Sequence, residues 1–126
     1  MNIEIKRIYE PVNDGDGLRV LVDRLWPRGV SRQNARLDAW LKDIAPSPSL
    51  RTWFGHKIEN FEQFSALYRH ELDTELLKQS AVKQLLEMEN SGKVTLLYGA
   101  KSTTVNQAAV LKRYLEEKMK CVHPHG

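Results

Sequence analysis

The run Val20-Leu21-Val22 is apolar without alternation, and it is followed at once by Asp23-Arg24-Leu25-Trp26-Pro27-Arg28-Gly29. A short run that is apolar on both sides suits a strand covered on both faces, as in an α/β sheet. The strand is expected from Leu18 to about Leu25, with Pro27 as its stop and Arg19 at its wetter start. Charge at the end of such a strand needs a reason. An unpaired ion is costly to remove from water, so Asp23, Arg24 and Arg28 either pair with each other or hold something charged in place.

The rest of the chain alternates strand and helix signals. Ile3, Ile5 and Ile8 with Tyr9 predict a first strand that ends near Pro11, and Asn13-Asp14-Gly15-Asp16-Gly17 predicts a turn. No glutamate follows Asp14 and Asp16 at the spacing of a calcium loop. Leu37, Trp40, Leu41 and Ile44 recur at helical spacing and predict a helix from near Ser31 or Asn34 to Pro46. Ser49 to Phe54 reads as a helical turn closed by Gly55. Asn60 with Gln63 predicts a cap for a helix whose apolar face carries Phe61, Phe64, Leu67, Tyr68, Leu72 and Leu76. A break is expected at Ser80 and the helix end at Gly92, followed by a strand from Val94 to Tyr98. Thr104 with Gln107 predicts a capping box ahead of a last helix that presents Ala108, Leu111, Leu115 and Met119. The expected architecture is one α/β domain over residues 1–120, with a small, mostly parallel sheet of about three strands flanked by four to five helices. The link between the first two strands is short for a helical crossover, which leaves an antiparallel pair open. Residues 121–126 read as a disordered tail.

A chain of 126 residues is large enough to bury a core without disulfides or metal. Its single cysteine, Cys121, has no internal partner and fits a reducing cytoplasm. No apolar run approaches the ~20 residues of a membrane span, and the opening Met-Asn-Ile-Glu-Ile-Lys-Arg lacks the apolar core of a signal peptide. Net charge is only +3, but seven arginines (Arg7, Arg19, Arg24, Arg28, Arg32, Arg36, Arg51) fall in the first half. The planar guanidinium suits bidentate capture of carboxylate or phosphate, so this placement points to a local anion site.

In open α/β sheets ligands bind beyond the carboxyl ends of the strands. One such end delivers Asp23, Arg24 and Arg28. The other delivers Tyr98, Gly99 and Lys101, followed by Ser102, Thr103 and Thr104 at a helix N-terminus, where free N–H groups favour an anion. Arg24, Arg28 and Lys101 are the expected clamp, with Thr104 and Trp53 as further ligand contacts. Asp23 would orient an arginine or a hydroxyl, and His56 or Tyr98 would move a proton. The same groups also fit structural work: Asp23 paired with Arg24 or Arg19, Arg28 on carbonyls, Ser102 to Thr104 as caps. Trp26, Trp40 and Trp53 are expected in the core rather than as a base-stacking platform. Cys121, His123 and His125 alternate, but a terminal stretch with no apolar anchor is not the usual metal site, and no metal or cofactor is expected. The Walker loop, the Gly-x-Ser-x-Gly elbow, Gly-x-Gly-x-x-Gly and His-Glu-x-x-His are all absent. The leading expectation is therefore a pocket for a phosphate, carboxylate or nucleotide-like molecule. The alternatives are a nucleic-acid-binding or regulatory module using the arginine-rich half, and a non-catalytic partner-binding domain.

Asp16 to Gly29, Ala45-Pro-Ser, Leu50-Arg-Thr-Trp-Phe-Gly-His56 and Val94 to Lys101 with Asn106 together resemble the YeaO-like family of small bacterial and archaeal proteins. The resemblance runs from about Ile5 to Leu115 and implies an α/β fold with a small central sheet, without an established activity. Broader relatives carry a cysteine after the third strand and Cys-His-Arg further on. The matching stretches here read Tyr98-Gly99 and Val105-Asn106-Gln107, so the resemblance carries over no cysteine nucleophile.

Overall fold

A computed structural model describes residues 2–122, with side chains to Lys120. Four strands form one wholly parallel sheet in the order β1-β4-β2-β3: β1 is Ile3–Arg7, β2 is Leu18–Leu21, β3 is Ala39–Trp40 and β4 is Val94–Tyr98. β4 enters last and lies in the middle, pairing Ile5 with Leu96 on one side and Val20 with Leu96 on the other. β1 and β2 are therefore parallel and not neighbours. The short link between them spans the width of β4, and Leu18 bonds back to Lys93 O at 2.9 Å.

Alternation along the strands sends side chains to two apolar clusters. Val20, Val22, Val94, Leu96 and Tyr98 pack with the helices α3 (Phe61–Thr74), α4 (Leu76–Ser91) and α5 (Gln107–Val122). Leu21, Leu97 and Ile8 face the other way, onto Ala35 of the short α1 (Arg32–Ala35) and onto Trp26, Val30, Leu37 and Trp40. This second face is polar at its other end. Arg19, only 4% exposed, donates from Nε and Nη2 to Ala35 O and from Nη1 to Asp16 at 2.5 Å. Lys6 reaches the same Asp16 carboxylate at 3.0 Å. The expectation of a wetter start for β2 is thus corrected: Arg19 is buried because α1 and Asp16 supply its acceptors.

The long helix expected between Ser31 and Pro46 does not form. Ser31 Oγ caps α1, but Arg36 turns left-handed at φ 47° and ends it. The chain then lays β3 along β2 and closes a 3-10 turn over Lys42–Ile44. Leu37 and Trp40 go to one side of the sheet while Leu41 and Ile44 go to the other. Their spacing imitates a helix stripe although they never share a face.

Further along, α2 (Pro48–Phe54) is capped by Ser47 and stopped by Gly55 at φ 53°. The break between α3 and α4 falls at Glu75, in an extended conformation, rather than at Ser80. Leu76, expected on the apolar face, is consequently 81% exposed. Asn60 makes no side-chain cap, and its amide donates to Trp53 O. At the start of α5 the capping oxygen is Asn106 Oδ1, which accepts from Ala109 N at 2.8 Å, not Thr104. Cys121 and Val122 continue the α5 backbone, whereas the Cys121, His123 and His125 side chains lie outside the described ones. No helix among the described residues is long and apolar enough to cross a membrane.

Candidate functional site

Beyond the carboxyl ends of the parallel strands the chain leaves a hollow of about 260 Å³. β2 ends at Leu21 rather than near the expected Leu25, and the segment that leaves it supplies Asp23, Arg24 and the Trp26-Pro27 bend, while the segment that leaves β4 supplies Gly99 and Ala100. Tyr9 comes from the end of β1, Arg51 and Phe54 from α2, and His56 from the turn after it. Phe64 of α3, Gln107 of α5 and the Ala45-Pro46 segment complete the wall. Trp40 Nε1 donates to Asp23 O at 2.7 Å and Trp26 Nε1 to Val30 O at 2.6 Å, so both indoles hold the chain that leaves β2. Arg7 Nε donates to Ala100 O at 2.9 Å and pins the segment that leaves β4.

Asp23 lies where these segments meet. Its Oδ2 accepts from Gly99 N at 2.8 Å, and its Oδ1 accepts from the Gln107 side chain. A Cβ at position 99 would lie 3.1 Å from Oδ2, so the approach is close even for the smallest residue. Burial is the largest influence on this carboxyl and pushes it up to about 6, against the lowering effect of the Gly99 N–H, Arg51 and Gln107. Arg24, next in sequence, donates from Nη2 to Ala45 O at 3.3 Å, while its buried Nε meets no acceptor. Among the described residues, no side chain of opposite charge lies within ion-pair distance of Asp23, Arg24, Arg51 or His56. His56 follows Gly55 with φ 59°, so two successive left-handed residues make the turn that Lys57 N closes onto Phe54 O at 3.0 Å. A left-handed non-glycine residue carries a conformational cost, and here it sits at the rim of the hollow.

Of the residues singled out from sequence, Asp23, Arg24 and His56 line this hollow and the others do not. Arg28 and Lys101 are exposed, and Arg28 contributes only its carbonyl, which accepts from Tyr9 Oη at 2.9 Å. Thr104 lines a separate groove between α3 and α5, beside Arg69 and Arg113. Trp53, expected in the core, is 42% exposed and borders a groove with Leu67 and His70. Tyr98 is 1% exposed in the main core, and burial raises its phenol above the usual value. Arg51, expected only as one of seven first-half arginines, and Gln107, expected only as a helix cap, are the residues that act on Asp23. The available signal for Arg51 was its place in α2, one turn before the Gly55-His56 stop.

The arginines of the first half have different surroundings. Arg19 is internal, and Arg32 lies over the Trp26 and Trp40 rings at 4.4 and 5.2 Å. Among the described residues no group of three or more His, Cys, Asp or Glu side chains is placed to hold a metal ion.

A family model described as the inactive DUF488-N3 subclade matches residues 2–125. The chain belongs to this DUF488-N3 family. Within the same group of proteins, the uncharacterized protein YeaO of Escherichia coli is 42% identical over 115 residues, covering 91% of this chain and 97% of that protein. The uncharacterized protein Rv3073c of Mycobacterium tuberculosis is 35% identical over 113 residues, covering 90% and 92%. Its Mycobacterium bovis counterpart, Mb3100c, matches equally. No solved structure matches the chain. In this DUF488-N3 member the wall of the hollow, among the described residues, contains no cysteine, serine, threonine or lysine.

Proposed function

We propose that this DUF488-N3 protein binds a small phosphate- or carboxylate-bearing molecule, nucleotide-like ones included, in the hollow at the strand ends, and holds it without forming a bond to it. Arg24 and Arg51 clamp the anion, and His56 stands at the rim. The observation that carries this reading is that Arg24 and Arg51 line one hollow while neither has an acidic side chain within ion-pair distance among the described residues. An anion in the hollow would supply the missing counter-charge. The wall residues that could act as nucleophiles are few, and the subclade's description as inactive agrees with binding rather than turnover.

The test is a thermal-shift and calorimetric screen of phosphate, citrate, aromatic carboxylates and mononucleotides against wild type, Arg24→Met and Arg51→Ala. A charge-assisted contact is worth about 1.5–3 kcal/mol, so each variant should bind the best ligand roughly 10- to 150-fold more weakly. Arg28→Ala and Lys101→Ala, which alter exposed side chains outside the wall, should bind as wild type does. Wild-type affinity in both Arg24→Met and Arg51→Ala would overturn the proposal.

A further inference from the structure

The hollow presents both signs of charge, and among the described residues none of them forms an ion pair, although Arg51 lies near enough to Asp23 to lower its pKa. Asp23 uses one acceptor site on each oxygen, for Gly99 N and Gln107, and an ionised carboxylate offers about four. Among the described residues, no lysine, arginine or histidine lies within ion-pair distance of it. Arg24 and Arg51 equally lack an acidic partner there, and all three side chains line one space.

A plain anion satisfies only half of this arrangement. Seated on Arg24 and Arg51, it would face the Asp23 carboxylate, and like charges in a partly desolvated site repel. A plain cation would satisfy Asp23 and leave Arg24 and Arg51 without a counter-charge. Much of the remaining wall is apolar, with Leu25, Pro27, Pro46, Phe54 and Phe64 beside the charged groups, although Tyr9, His56 and Gln107 also line it. The volume of about 260 Å³ is below the roughly 300–1,000 Å³ of drug-sized sites, which limits the occupant to a small molecule.

Resting on the anion-binding function above, we infer that the ligand is a small zwitterion with an apolar body, of the chemical class of a free α-amino acid. Its carboxylate lies on Arg24 and Arg51, its ammonium on Asp23, and its side chain against Phe54 and Phe64. Phosphates are disfavoured in this arrangement because they bring more negative charge to Asp23 and no positive charge to pair with it.

Calorimetry on the full chain tests this with three matched series: leucine, phenylalanine and tryptophan; the same molecules without the amino group (4-methylpentanoate, 3-phenylpropanoate, indole-3-propanoate); and without the carboxylate (3-methylbutylamine, 2-phenylethylamine, tryptamine). At least one amino acid should bind about ten- to a hundred-fold more tightly than both of its truncated forms. Asp23→Asn should remove the preference over the deaminated acid while keeping the acid's own affinity. If a deaminated acid or inorganic phosphate binds as tightly as every amino acid, the zwitterion inference fails and the anion-binding function stands. If the amines bind and nothing carrying a carboxylate or phosphate does, or if none of these probes binds, both fail. The wild-type series decides these outcomes even where Asp23→Asn does not fold.

Discussion

Replacing Asp23 by asparagine should change how the stability of the fold responds to acid. The Asp23 carboxyl is pushed up to about 6 by burial, against 3.8 for an unperturbed aspartate. Between those values the native chain holds a proton that the unfolded chain has released, so this group makes the fold more stable as pH falls from above 6 towards 4. At 1.36 kcal/mol per pH unit, the interval corresponds to about 3 kcal/mol at its limit. Solvent reaches part of the Asp23 side chain, so roughly 2 kcal/mol is the expected size. Asparagine does not titrate, and its Oδ1 can still accept from Gly99 N. Urea unfolding of wild type and Asp23→Asn at about pH 7.5 and about pH 4.5 gives a difference of differences in which the other carboxyls cancel. Asp16 is the main one to cancel, and its sign is opposite. Burial alone would raise it, but the Asn13 N–H, Lys6 and Arg19 outweigh burial and hold it below its ordinary value. Its contribution is present above the unfolded value and is lost only as pH falls through the lower folded one. Parallel pH profiles for wild type and Asp23→Asn would refute the reasoning.

Two further outcomes follow from the backbone and from the second face of the sheet. Gly17 has φ 66°, and a Cβ there would stand 2.3 Å from Lys93 O, the carbonyl that accepts from Leu18 N at the start of β2. Gly29 has φ 80° with nothing within 4 Å of such a Cβ. Denaturant unfolding should show Gly17→Ala losing roughly 3 kcal/mol or more and Gly29→Ala about 1 kcal/mol; equal losses would contradict the clash. Arg19→Met removes one partner of a buried ion pair and should cost about 3–5 kcal/mol. The double variant with Asp16→Asn should cost less than the sum of the two singles, and simple additivity would show that the pair is not coupled.

Residues whose behaviour depends on close neighbours in the chain are legible in the sequence. The apolar run from Val20 to Val22 and the largely apolar Val94 to Tyr98, with only Thr95 polar, read as buried strands because no charge interrupts them. Ser47, Pro48 and Gly55 supply the local chemistry that starts and stops α2, and that chemistry acts within a few residues. Leu37, Trp40, Leu41 and Ile44 mislead because spacing records only that a residue is buried, not on which side of the sheet. Glu75 ends α3 with no glycine, proline or capping side chain to announce it.

The same division holds at the hollow. The sequence by itself determined that charge gathers just past the end of β2, and the α/β pattern made the strand ends the expected place for a ligand. Only the tertiary structure decided which charges share that space. Lys101 is as close in sequence to a strand end as Arg24 is, and Arg28 follows on the same segment as Arg24, yet both are exposed and neither lines the hollow. Arg51 and Gln107 arrive from helices far along the chain. The physical reason is reach: capping and period act over a turn or two of backbone, whereas the surroundings of a charge are set by every segment that folds back over it.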